Sequence, residues 1–200
     1  MPSVTPSPPS YSPKALEIIR CTNQLLAAGG YNGFSYADIA ERVQVRKASI
    51  HHHFPAKADL VKATVGLHRE ATLRGLQSLR QSIPDPHARL VAYGSYWADC
   101  IRASNPPICI CALLAAELPA IPAEVADEVM GHFADLQAWL AATVEEGAAQ
   151  GTIRLTETAA AEAAMFMASI HGAMLSARAL GDASVFWGIA RLATDRLKAT

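Results

Sequence analysis

Aromatic side chains make up only 6% of the 200 residues, although 51% are hydrophobic. Sheets draw on β-branched and aromatic residues, so an apolar content carried mainly by Ala and Leu favours helices. The four cysteines, Cys21, Cys100, Cys109 and Cys111, include no C-x-x-C pair. That excludes a disulfide framework, and reduced thiols in a cytoplasmic setting fit better. No basic segment followed by an apolar run opens the chain, so no secretion signal is expected. No uncharged apolar run reaches the ~20 residues of a membrane span. Paired carboxylates, a nucleophile elbow, a phosphate-cradling loop and metal-ligand spacing are all missing, so neither an enzyme nor a bound cofactor is expected.

The formal net charge of −1 hides an asymmetry. Residues 1–80 hold ten Lys/Arg against five Asp/Glu, a net +5, while residues 81–200 carry −6. A basic half of this kind suits a phosphate-rich partner.

That half contains the most informative stretch, Ser35 to Phe54, SYADIAERVQVRKASIHHHF. Ser35 is spaced to cap a helix, with Asp38 three residues on in capping-box register. Ile39, Ala40 and Val43 form its inner face, Gln44-Val45 make a turn, and Lys47 to His53 make a second short helix with Ile50 and Phe54 inward. Pro55 ends that helix. Two short helices around a tight turn, the second rich in basic and hydrogen-bonding groups, make a helix-turn-helix able to enter the DNA major groove.

Around it the chain reads as helices throughout. Residues 1–13, MPSVTPSPPSYSP, have the Pro/Ser composition of a disordered tail. Helices are expected from Lys14 to Ala28, from Ala56 to Ser82, over 87–104 (apolar almost all round, hence central), over 108–118, from Ala123 to Gln150, from Glu157 to Leu180, and from Asp182 to Ala199. The penultimate helix carries small residues four apart at Ala160, Ala164, Ala168, Gly172 and Ser176. Such a row admits close helix approach, and the last two helices are expected to pair with their copies as a homodimeric four-helix bundle. The expected fold is all-α: a tail over 1–13, an N-terminal three-helix helix-turn-helix domain over 14–60, and a larger helical domain over 61–200.

Residues 14–62 resemble the tetracycline-repressor (TetR) family of bacterial regulators, on the run GGYNGFSYADIAERVQVRKASIHHHFPAKADL. The resemblance implies a ligand-binding and dimerisation role for the C-terminal domain and a ligand-responsive transcriptional regulator, a repressor released from a palindromic double-stranded DNA operator by a small-molecule inducer. Three positions depart from the family pattern: Gln44 replaces the turn Gly, Arg46 replaces the usual Ser, and His51 the usual Tyr. If position 44 needs φ > 0, Gln costs roughly 1 kcal/mol against Gly. The segment ICICALLAAELPAIPAEV is similar to one in members that answer electrophiles or small reactive metabolites.

The DNA-binding set expected from these readings is Ser35, Tyr36, Arg46, Lys47, Ala48, Ser49, His51, His52 and Lys57. Ser35 and Tyr36 stand at a helix start that can hold phosphate, Ser35 equally as a cap. Arg46 and Lys47 meet either base edges or phosphates, Arg46 being suited to a bidentate guanine contact. Lys57 takes its backbone-contacting role from the resemblance. His53 is expected to pack inward. Three consecutive helical histidines point about 100° apart and cannot converge on one ion, so no metal site is expected there. The ligand-binding set is Tyr93, Trp97, Cys100, Cys109, Met130 and Phe133, with Tyr96 and Met165 as further lining residues or plain core. Cys109 and Cys111, expected on opposing sides of one helix, are either small core hydrophobes or, for one of them, a reactive sensor thiol.

Overall fold

The computed structural model describes residues 11–105 and 107–199. The first ten residues of the expected tail lie outside the described residues. Its last three belong to the folded body. Ser12 Oγ accepts a hydrogen bond from the Ala15 N–H at 3.2 Å, Pro13 occupies the first helical turn, and the Tyr11 ring lies 6.2 Å from that of Phe54.

The described chain is helical: α1 (Pro13–Gly29), α2 (Tyr36–Val43), α3 (Lys47–His53), α4 (Lys57–Ser82), α5 (Pro86–Arg102), α6 (Ile110–Ala116), α7 (Ala123–Gln150), α8 (Ala159–Leu180) and α9 (Ala183–Leu197), with a 3₁₀ turn over Leu118–Ala120. Local chemistry sets most boundaries. Asp85, Thr158 and Asp182 each accept a backbone N–H at a helix start. Gly151 and Gly181 close α7 and α8 in the left-handed conformation, with φ of 74° and 64°.

Two expectations are corrected. The helix expected over 108–118 is shorter. Cys109 is its extended N-cap residue (φ −64°, ψ 125°), and Pro119 diverts the far end into the 3₁₀ turn. Helix α5 is not buried all round: Leu90, Tyr93 and Trp97 face the core, whereas Val91 and Tyr96 are exposed.

Helices α1 to α3 and the start of α4 enclose an N-terminal core in which Ile18, Leu26, Ile39, Ile50 and Leu60 are fully buried. The body beyond is built on α7, which packs against α4, α5, α6 and α8, with α9 laid on α5 and α8. Leu90, Val129, Leu140, Ile170 and Phe186 are fully buried there. Buried charges are paired. Arg89 donates to the Ile83 and Pro84 carbonyls and to Glu146, and Glu162 accepts from Thr156 and Arg196.

By length and composition α8 would pass for a membrane span. The ion pair of buried Glu162 with Arg196 and the packing on α7 and α9 give it a place in the helical body.

Besides α4, two polar clamps tie the body to the N-terminal unit. Arg178 of α8 donates to the Ala27 and Ala28 carbonyls at 2.7 and 2.6 Å, placing a cation at the C-terminal end of α1. Glu117, just after α6, accepts from the Tyr31 N–H at 2.8 Å. Gly30 lies against that carboxylate with φ 70°, and a Cβ there would fall 1.8 Å from Glu117 Oε1.

Candidate functional site

The reading unit follows from its capping. Ser35 Oγ accepts the Ala37 N–H, and Asp38 Oδ2 accepts the Ser35 N–H and hydroxyl at 2.7 and 2.8 Å, which completes the capping box. These bonds hold the Asp38 carboxyl below its usual range. Gln44 then takes the left-handed conformation, φ 54° and ψ 49°, and reverses the chain. Arg46 is the extended N-cap of α3, with no side chain closing the helix start. Arg46, Lys47 and Ala48 are exposed and Ser49 is half-buried, so the end of α3 that a groove-bound helix presents to bases is open.

The other expected DNA contacts divide. His52 is exposed. His51 is exposed too, but its ring lies 4.7 Å from that of Tyr36 and its Nδ1 is 3.2 Å from the Pro55 carbonyl. Tyr36 is turned inward: its hydroxyl donates to the Phe54 carbonyl at 2.9 Å, and burial pushes its pKa up to about 12. Its side chain bolts α2 to the end of α3. Lys57 is also drawn in. Its ammonium donates to the Phe34 carbonyl and sits 4.2 and 4.8 Å over the Phe34 and Tyr31 rings, and burial lowers its pKa. His53 is half-buried between the His52 and Phe54 rings.

In the body, a cleft of about 390 Å³ opens between α4 and α5, lined by His68, Leu76, Leu79, Tyr93, Tyr96 and Trp97. Apolar and aromatic walls with a few polar groups are what small-molecule sites use. Tyr93 and Trp97 form part of its wall. Tyr96 borders the cleft while half-exposed, and burial followed by its hydrogen bond with Cys100 pushes its pKa up to about 12. Met130 and Met165 do not line it, being 52% and 57% exposed. Met130 is one residue past Val129, about 100° round α7 from the inner stripe. Phe133 packs between His132 and His171, at ring distances of 5.7 and 5.0 Å.

Behind the cleft the structure gathers His68 (α4), Cys109 and Cys111 (α6 and its cap) and His132 (α7), with one donor atom of each inside a 4.8 Å span. Cys109 Sγ is 3.5 Å from His68 Nε2 and 3.8 Å from His132 Nε2. Because Cys109 precedes the helix, the two sulfurs meet instead of pointing apart. Hydrogen bonds from Cys111 and then the histidines hold the Cys109 thiol well below its usual range, whereas donating to Cys109 and burial push Cys111 up. Sequence reading missed His68 and His132. The register Val125, Val129, His132, Leu136 is the one signal that marked His132 as inward.

An all-α body carrying an N-terminal helix-turn-helix defines a DNA-binding regulator class. Residues 18–64 match the family described as "Bacterial regulatory proteins, tetR family", and residues 86–191 match "Tetracyclin repressor-like, C-terminal domain". A solved structure of a TetR-family transcriptional regulator from Agrobacterium tumefaciens is 50% identical, with 93% of this chain and 98% of that chain covered and a TM-score of 0.92. The regulatory protein TetR from Rhodobacter sphaeroides shares the fold at 22% identity, TM-score 0.85, covering 93% and 100%. The reduced form of E. coli NemR does so at 18% identity, TM-score 0.80, covering 93% and 98%. No curated protein matches the chain. The chain belongs to the TetR family of transcriptional regulators.

Proposed function

We propose that the protein is a homodimeric, ligand-responsive repressor that leaves a palindromic operator in the cytoplasm when an organic inducer enters the cleft between α4 and α5. The observation that carries this reading is the double use of α4. One stretch of it, from His68 to Leu79, walls the cleft, and the first residue of α4, Lys57, follows the end of the recognition helix α3 at His53 and donates to the Phe34 carbonyl of the reading unit. An inducer that binds better to a state with the two recognition helices out of half-site register, about 34–36 Å apart on DNA, releases the operator. For the homodimer, α8 and α9 expose Met165, Leu175, Leu180, Trp187 and Leu192 beside the exposed small residues Ala160, Ala164, Ala168 and Gly172. Exposed large apolar side chains gathered on two helices suit a protein interface.

The test is a gel shift at physiological salt on a palindromic site from the protein's own promoter region. Sequence-selective binding weakened by Arg46→Ala supports the reading, and no selective binding by either form sinks it. Ala168→Arg is expected to give a monomer in sedimentation, and an intact dimer would move the interface elsewhere.

A second reading rests on Cys109, whose thiol is held low between two histidines: the same fold would answer electrophiles or oxidants through Cys109 or Cys111. Intact-mass measurement after mild electrophile treatment separates the two. Adducts on these thiols accompanying DNA release favour it, and unmodified thiols with release by another compound remove it.

A further inference from the structure

The donor set behind the cleft has the make-up of a metal centre. It offers two sulfurs and two imidazole nitrogens with no carboxylate among them. That composition disfavours calcium and magnesium, which take oxygen ligands, and suits borderline and thiophilic d-block ions. We propose that His68, Cys109, Cys111 and His132 form a tetrahedral binding site for a zinc-class divalent cation, a site built from three helices.

Distances carry the assignment. Metal–sulfur bonds of about 2.3 Å and metal–nitrogen bonds of about 2.0–2.1 Å give tetrahedral edges of about 3.3–3.8 Å. The two measured Cys109-to-imidazole separations, 3.5 and 3.8 Å, already match such edges, and the whole set spans no more than 4.8 Å. Closing onto an ion needs shifts of only about an ångström. Nearby carboxylates do not compete: Glu128 and Asp135 are both engaged by Arg69. A third imidazole, His171, packs on Phe133 beside His132, and its buried Nε2 has no hydrogen-bond partner among the described residues. An entry path exists, because His68 is only half-buried and lines both the α4–α5 cleft and an open groove beside α1.

The site also spans the parts that reach the DNA-reading unit. His68 lies on α4, and Cys109 and Cys111 lie at the start of the short α6 that leads to Glu117 and its bond to Tyr31. Filling the site pulls α4 and α6 toward α7 and changes operator affinity, a step that rests on the ligand-responsive reading above, whereas ion binding itself does not.

The experiment is titration of reduced, chelator-stripped full-length protein with Co²⁺ alone. Expected are the visible d–d bands of tetrahedral cobalt and a near-ultraviolet thiolate-to-cobalt band. They should saturate at one ion per chain and vanish on adding Zn²⁺. Cys111→Ser and His68→Gln are each expected to weaken binding at least about tenfold, with circular dichroism showing both still helical, while Cys21→Ser binds as wild type. Absence of tetrahedral bands in folded wild type, together with no zinc retained in native mass spectrometry, overturns the site. So does cobalt binding that both ligand variants leave unchanged. A DNA arm runs beside it. Cobalt binding without altered operator affinity overturns only the regulatory step. Operator release by an organic compound without cobalt binding overturns the metal site and leaves the repressor reading standing.

Discussion

The reading unit and the buried His/Cys cluster differ in how their residues are brought together. The unit from Ser35 to Phe54 is local: each decisive contact, the Asp38–Ser35 box, the left-handed Gln44, the Tyr36–Phe54 bolt, joins residues at most 18 apart. The cluster is long-range, with His68 41 residues before Cys109 and His132 23 after it. Local constellations are written as spacing along the chain. Long-range ones exist only once α4, α6 and α7 have docked, and no spacing rule finds them.

The largest expected effect tests whether the reading unit is held by its own core. Ile50 is fully buried, and Ile50→Ala is expected to cost about 2–5 kcal/mol. If the unit is separately cooperative, circular dichroism melts split into two steps, the first shifted down. A single lowered transition would show that the two regions unfold together. Next is Arg46→Ala, expected to lower operator discrimination by about 1–3 kcal/mol if Arg46 reads a base, with stability within about 0.5 kcal/mol of wild type. Uniform loss on all sequences in a competition gel shift would assign Arg46 to phosphate instead.

Arg178→Ala removes two charge-assisted bonds onto α1 from a largely exposed side chain, so about 1 kcal/mol of stability is expected to go. Its sharper readout is hydrogen exchange at the end of α1, which should quicken while α7 stays protected.

Acid probes the body. Glu162 and Glu146 have folded pKa values lowered below their ordinary 4.5, Glu162 because bonds from Thr156 and Arg196 outweigh burial, Glu146 chiefly through Arg89. A depressed carboxyl pKa adds stability above 4.5, and this is lost as pH falls through the lower folded value. Denaturant midpoints should therefore decline below about pH 4.5, less steeply in Glu162→Gln than in wild type.

Smallest is Gln44→Gly, expected to raise stability by up to about 1 kcal/mol because φ 54° strains a side chain. A fall in the melting temperature would mean that the Gln side chain makes up for its backbone.

The same contrast explains what the sequence disclosed. Helix periodicity and caps located α4 and α7 almost to the residue, because Asp59, Gln150 and Gly151 announce themselves locally. The all-α class and the capping box at Ser35 were legible for the same reason, while the positive φ at Gln44 was raised only as a condition by the family's turn glycine. The inward turn of the Tyr36 and Lys57 side chains was not legible, because it is decided by neighbours, Phe54 and Phe34, whose approach depends on folding. Met130 failed by a single position of helical phase. Cys109 and Cys111 were set apart because α6 was drawn through a residue that is in fact extended, and one dihedral turned two divergent thiols into neighbours. Nothing in the sequence announced that Arg178 would close α1 from the far end of the chain.

Helix α4 is unbroken for 26 residues, which at 1.5 Å per residue makes it a rod of about 39 Å. His68 stands eleven residues from its start at Lys57, roughly 17 Å along the axis. A rod tilted by about 5° with its pivot at His68 carries its DNA-side tip about 1.5 Å sideways. In a symmetric pair the two tips add, so the span between reading heads changes by about 3 Å, close to the rise of one base pair. A small shift at a half-buried side chain can thus be geared up to the pitch of the ruler that the protein measures.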